Sequence, residues 1–360
     1  MTLELQRAAY AVLLPAFDGL ELDEGGRRFL HRGGVSILLG ETRDEYVSRH
    51  MSFERRRSET QAHFSRIVQE ATACAGGPVL VAVDQELGGI QRLHRLVPGM
   101  PSGEELKTLR SADIEARSYE MASSARVMGV NLFLAPIVDV VTGVNPWLHN
   151  RHLGSDPAEV SRIACAFIRG VQRAGVIATA KHFPGHHETE QDPALERATV
   201  SGSWEALAPG LDVFRDVIDA GVQAVMPGPA VFPALDPTQS ASTSQHVIGL
   251  LRDALGFKGL IISDDLDAVS ILRDNSLADT AVTALQAGAH LLLVSSESGL
   301  DDVAQAIVDA VEAGRLDRSR LLKAADTVRG LAQSSRAQVE SGLYVSYPIP
   351  SGYLTRRVTL

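Results

Sequence analysis

The chain has 360 residues, with 34 Lys or Arg against 44 Asp or Glu and a formal net charge of −10. That length allows one large barrel or two modest domains, and the acidic balance without a basic–aromatic patch argues against a nucleic-acid partner. No apolar run reaches transmembrane length and no basic-then-apolar segment opens the chain, so the expectation is a cytoplasmic protein with no membrane partner.

Taken in chain order, eight apolar runs stand out: 9–17, 34–40, 78–86, 129–140, 174–185, 220–229, 258–267 and 287–296. Each has a core of Val, Ile, Leu or Ala without polar alternation, the pattern of strands buried on both faces of a parallel sheet. Stretches of helical period lie between them, as at 155–173, 203–219 and 275–286. Strand–helix units in that number and spacing predict a (β/α)8 barrel over residues 1–330, whose active site would form at the C-terminal ends of its strands. No Gly-x-Gly-x-x-Gly turn follows any run, which sets aside a doubly wound dinucleotide-binding sheet. The arginines between 45 and 57, interleaved with Glu45, Glu54 and Glu59, read as a solvated helix face. Cys74 and Cys165 are far apart and read as free thiols, and no Cys/His cluster has zinc spacing. After Ala332 the helical period fades, and residues 331–360 form a C-terminal extension to which no role is assigned.

Nearly every run hands over to polar residues at its C-terminal end, placing Asp84, Glu86, Asp139, Lys181, His182, Asp264 and Asp265 on one rim. Asp84 and Glu86 share a face at period two, and Gly88 and Gly89 permit a tight turn from which Arg92 could swing back as a bidentate partner. The segment after the fourth run offers Asn145, Asn150 and Arg151, with Trp147 as a flat apolar wall and Ser155 as a helix cap. Lys181 and His182 close the fifth run, and Pro184–Gly185 turn the chain into a loop carrying His186, His187, Glu188, Glu190 and Asp192. A lysine there suits sugar hydroxyls through its three donors, or a Schiff base, while His182 with His186 could hold a metal. Asp264 ends the seventh run and could attack an anomeric carbon or grip a hydroxyl; Asp265 could face away, or cap the next helix. Such a convergence, without metal spacing or a phosphate loop, points to polyol or glycan chemistry. Glycoside cleavage with retention needs a carboxylate nucleophile and a separate proton donor about 5–5.5 Å away. The residues name a nucleophile but no clear acid.

The motifs KHFPGH (181–186) and ISDDL (262–266), in that order and at strand ends, resemble the cytoplasmic β-N-acetylglucosaminidase branch of glycoside hydrolase family 3. The resemblance runs over roughly residues 10–330. It implies a single barrel that trims β-linked N-acetylglucosamine from the nonreducing end of a small glycan, with retention and without a cofactor. Asp264 matches the family nucleophile, Lys181 and His182 match sugar-hydroxyl ligands, and Asp84, Arg92 and Arg151 match residues that close the subsite for the terminal sugar. The chain departs from the family in two places. Leu87 and Gly89 stand where a glycine and an arginine are usual. After KHFPGH the family continues to an Asp-Ser-His dyad that supplies the acid/base, whereas here Asp192 is followed by Pro193 and Ala194. His187, Glu188, Glu190 and Asp192 are then the remaining loop candidates for the proton donor, with Glu188 preferred. Alternatively the substrate is an activated or unusual glycoside that needs little protonation, or the barrel binds sugar without turning it over.

Overall fold

A computed structural model describes residues 2–340. Each of the eight apolar runs contains one barrel strand: β1 (Leu13–Phe17), β2 (Ser36–Leu39), β3 (Leu80–Val83), β4 (Leu132–Phe133), β5 (Ile177–Phe183), β6 (Ala224–Pro227), β7 (Leu260–Ile261) and β8 (Leu292–Ser295). All pairings are parallel and sequential from β1 to β7, and β8 pairs back onto β1. The ring closes where Ile262 bridges Leu291 and the Leu291 N–H donates to the Ile261 carbonyl. The fold is a (β/α)8 barrel, as the periodicity predicts.

The missing polar alternation has a direct cause. Leu14, Leu38, Leu80, Ala82, Leu132 and Leu134 fill the barrel interior. Their neighbours Val81, Val83, Phe133 and Ala135 pack outward beneath the surrounding helices. Alternate side chains thus enter two largely apolar layers, so the strands show no regular polar alternation.

Helices Pro157–Arg173, Trp204–Asp219 and Leu277–Ala287 fall where the sequence pattern puts them. Two boundaries differ from expectation. The first apolar run begins inside a helix, Thr2–Ala11, that precedes β1. The final helix runs Arg318–Glu340, so it continues past Ala332, and the expected division at residue 330 falls within it. Val328 and Ala332 of that helix join the interior cluster with Leu80 and Leu132, sealing the end of the barrel opposite the strand C-termini. Burying a valine this way contributes about 1.5–3 kcal/mol, enough to favour helix over the weak local pattern. Residues 341–360 lie outside the described residues. A short antiparallel hairpin, Val231–Phe232 with Asp236–Ser240, interrupts the pattern between β6 and β7. Among the described residues no helix is long and apolar enough to cross a membrane.

Candidate active site

A cavity of about 340 Å³ opens at the C-terminal ends of the strands. Its walls include Asp84, Trp147, Arg151, Lys181, His182, Asp264 and Asp265. That volume sits at the lower end of the roughly 300–1,000 Å³ of small-molecule sites.

On one side, four charges interlock. Lys181 Nζ donates to Asp84 Oδ1 at 2.6 Å and lies 3.0 Å from Glu86 Oε1. Glu86 also accepts a bidentate pair from Arg151, Nη2 to Oε1 at 2.7 Å and Nε to Oε2 at 3.1 Å. Burial alone would raise the Glu86 carboxyl, but Arg151 and Lys181 outweigh it and hold it well below the usual carboxylate range. Burial would likewise lower the Lys181 ammonium, but Asp84 and Glu86 raise it. An amine engaged by two carboxylates and held protonated is a poor Schiff-base nucleophile, which disfavours the lyase use of Lys181.

The turn after β3 makes this close packing feasible. Gly89 adopts φ +70°, and a Cβ there would stand 2.5 Å from Glu86 Oε2 and 2.6 Å from Arg151 Cγ. Gly89 therefore suits this turn, at the position where the resemblance leads one to expect an arginine. Leu87 is buried in the outer core.

Arg92 lies elsewhere. Its fully buried guanidinium donates to both oxygens of Glu59, at 2.7 and 2.9 Å, and to the Gly40 carbonyl. Glu59 is shared with Arg55, which also bonds Glu45 at 2.9 Å. The hairpin turn after Asp84 sends Arg92 into this brace, beneath the segment that carries Glu41, Arg43 and Tyr46 to the cavity, so it is not a wall residue. Arg55 is correspondingly a half-buried clamp, whereas Arg56 and Arg57 remain exposed as the solvated-face reading has it.

At the end of β5 a register shift falls between Lys181 and Phe183, and the Lys181–His182 peptide bond is cis. Both consecutive side chains line the cavity. Asp139, fully buried, accepts from the His182 backbone N–H at 3.1 Å and from His182 Nδ1 at 2.8 Å, and its other oxygen accepts from the His186 N–H at 2.6 Å. Burial opposes ionisation of Asp139, yet these partners keep it below its ordinary value. It thus fixes the His182 tautomer with Nε2 turned inward, 4.0 Å from Asp264 Oδ2. Trp147 lies against the His182 ring at 4.4 Å between centroids, and its Nε1 donates to the Tyr46 hydroxyl at 2.9 Å.

Asp264 follows β7. Its N–H donates to Ser242 Oγ, itself bound to the Pro227 carbonyl, and its Oδ1 accepts from the Asp265 N–H at 2.8 Å. Its Oδ2 is buried without a hydrogen-bond partner and lies at the cavity. With Oδ1 held and Oδ2 free, the carboxylate is aimed. In the ring order β7 stands opposite β3, so Asp264 and the Asp84–Lys181 pair face one another across the mouth.

The loop after β5 is arranged otherwise than the sequence suggests. His186 is fully buried, neither ring nitrogen has a partner, and burial pushes its pKa down to about 3. No group of three potential ligands capable of holding a metal occurs among the described residues. His187, Glu188, Glu190 and Asp192 are absent from the cavity wall, where Pro193 and Ala194 stand instead. Glu188 packs over Gly143, and Asp192 turns back to accept from the Ala194 N–H at 3.0 Å. Asn145 is a loop brace, donating to the His186 carbonyl and accepting from the Leu148 N–H, and Asn150 is not on this wall. Ser155 does not cap the following helix; Asp156 does, accepting from the Ala158 N–H.

Glu41, which the sequence reading passes over, lines the cavity with Oε2 buried and unpartnered. Burial, reinforced by Asp84 and Glu86, pushes it up to about 8. The signal was available: Glu41 follows the second apolar run as Asp84 follows the third.

Residues 28–331 match the glycosyl hydrolase family 3 N-terminal domain. A beta-hexosaminidase of Nitrosomonas eutropha is 30% identical over 292 residues, covering 77% of this chain and 82% of its own length. One from Tolumonas auensis is 32% identical over 283 residues, covering 76% and 80%. A glycoside hydrolase family 3 beta-N-acetylglucosaminidase structure from Paenibacillus sp. superposes with a TM-score of 0.82 at 30% identity, and the match covers 97% of this chain but 65% of that one. With its barrel, its cavity and this likeness along most of its length, the chain belongs to glycosyl hydrolase family 3.

Proposed function

We infer that the protein is a β-N-acetylglucosaminidase-like glycosidase that removes one sugar from a nonreducing end with retention of configuration. Family membership and the beta-hexosaminidase relatives support the reaction class. The observation that carries the assignment of roles is the unpartnered Asp264 Oδ2 facing a one-sugar cavity opposite Asp84 and Lys181.

In this reading Oδ2 attacks C1 from within the cavity and forms an aspartyl-glycosyl ester, which water then hydrolyses. The Asp84–Lys181 pair and Arg151 hold the hydroxyls remote from C1. His182, fixed by Asp139, holds one nearer to Asp264. Glu86 acts on the other charges, locking Lys181 and Arg151 in place before substrate arrives. The substrate is a small soluble glycan or glycoside, and the proposed location is the cytoplasm.

The experiment is hydrolysis of para-nitrophenyl N-acetyl-β-glucosaminide, with the first-formed anomer read by NMR. The wild type should release the β-anomer first, and Asp264→Ala should be inert. One observation favours a second reading, a sugar-binding relative without turnover: none of the four loop acid/base candidates reaches the cavity. Saturable binding of N-acetylglucosamine with no hydrolysis across a panel of β-glycosides would select it.

A further inference from the structure

We propose that Asp265, the neighbour of the nucleophile, is the proton donor and acceptor of this reaction, taking the place of the missing loop histidine. The proposal rests on the glycosidase reading above.

Five carboxyl side chains line the cavity: Asp18, Glu41, Asp84, Asp264 and Asp265. Asp84 is committed to Lys181. Glu41 follows β2, next to the β3 that leads to Asp84, and belongs to the far side of the mouth, and Asp18 follows β1, two strands from β7 in the ring. Asp265 follows Asp264 directly, on the same turn, and lines the cavity beside it.

Its placement is built. The Asp265 N–H holds Asp264 Oδ1 at 2.8 Å, and its own Oδ1 accepts from the Asp267 N–H at 3.1 Å. Asp267 in turn ties the turn to β8, accepting from the Ser295 N–H and the Ser298 hydroxyl, each at 2.7 Å. One short turn therefore positions both carboxyls. No hydrogen bond within the described protein engages Asp265 Oδ2, and the residue is exposed at the cavity mouth, where a leaving alcohol and an incoming water can reach it. The charged groups acting on it are Asp267 and Asp264, which favour the protonated acid, and Arg43, which opposes them. Partial desolvation, with Asp267 and Asp264 adding, raises its pKa above the ordinary carboxylate value, the direction that a proton donor needs.

In the first step Asp264 Oδ2 bonds to C1 while the C1–oxygen bond to the aglycone breaks. The departing oxygen keeps the bonding pair and takes the Asp265 proton, leaving Asp265 as carboxylate. In the second, water bonds to C1 and gives its proton to Asp265, and the ester bond to Asp264 breaks. One water is consumed and both carboxyls return to their starting states.

The test compares wild type, Asp265→Ala and Asp265→Asn on para-nitrophenyl N-acetyl-β-glucosaminide and on chitobiose, with and without azide. Lost general-acid help typically costs about 10²–10⁴-fold. The expected result is a kcat/KM loss in that range on chitobiose, less than about tenfold on the aryl glycoside, and azide rescue that yields the β-glycosyl azide. Glu41→Gln and Asp18→Asn should instead alter both substrates alike. Equal losses on both substrates without an azide product, full activity of the Asp265 variants on chitobiose, or the leaving-group signature in Glu41→Gln would each overturn the assignment while leaving the glycosidase reading intact. A wild type that hydrolyses neither substrate would remove that reading itself.

Discussion

Two sides of the barrel mouth differ in kind. From β3 to β5, Asp84, Glu86, Arg151 and Lys181 form a preassembled charge cluster with almost every donor and acceptor engaged. In the loop after β5, the side that should carry the proton-transfer group, Pro193 and Ala194 face the cavity, and His187, Glu188, Glu190 and Asp192 do not. In the proposed reading, substrate grip and proton delivery are thus separately encoded. The first depends on buried strand ends that cannot change singly without exposing an unpaired charge, whereas the loop after β5 is irregular and can be rewritten, which in the proposal leaves proton delivery to the turn after β7.

The contrast can be broken or sharpened by mutation. Asp264→Ala should have the largest effect, lowering kcat/KM on the aryl glycoside by about 10⁴-fold or more, the scale of losing one member of a catalytic unit. Glu86→Ala leaves Lys181 and Arg151 buried without their shared partner and should cost about 3–5 kcal/mol in urea unfolding. An unchanged unfolding midpoint would show that the cluster is not the rigid half of the site. Lys181→Met removes the charged hydrogen bond that the proposal gives it to substrate, worth about 1.5–3 kcal/mol, so kcat/KM should fall roughly 10- to 150-fold in steady-state assays.

Glu41 gives a pH signature. Its carboxyl is raised from an ordinary 4.5 to about 8, so the folded state holds a proton that the unfolded chain releases across that interval. The associated stability is fully present below pH 4.5 and is lost as pH rises through about 8. Melting curves of Glu41→Gln should therefore lack this decline, and parallel wild-type and variant profiles would show that Glu41 ionises freely. The smallest effect is expected from Glu188→Gln and Glu190→Gln, each within about twofold of wild-type kcat/KM. A hundredfold loss in either would return the acid to the loop and erase the contrast.

What the sequence makes legible follows the same division. Buried strands announce themselves because both of their faces are apolar, so all eight runs contain a strand, and a residue just past a strand has few places to go but the mouth. That logic brings Asp84, Lys181, His182 and Asp264 to one cavity, and it would have brought Glu41 had it been applied to the second run. It fails for Arg92, whose direction is set by Glu59 from a segment distant in sequence. It fails again for the four loop groups, because proximity to KHFPGH along the chain does not fix where a loop side chain points. Asp139 was legible as a rim residue but not as the brace of His182, since that role depends on β4 and β5 lying side by side.

The most direct test of the account is intact-mass spectrometry of the wild type and Asp264→Ala after exposure to a fluorinated N-acetylglucosaminyl donor with a very good leaving group. The account predicts a mass increase of one glycosyl unit in the wild type, mapped to Asp264 by peptide sequencing, and none in the variant. Product release with no adduct, or an adduct on another residue, would contradict it.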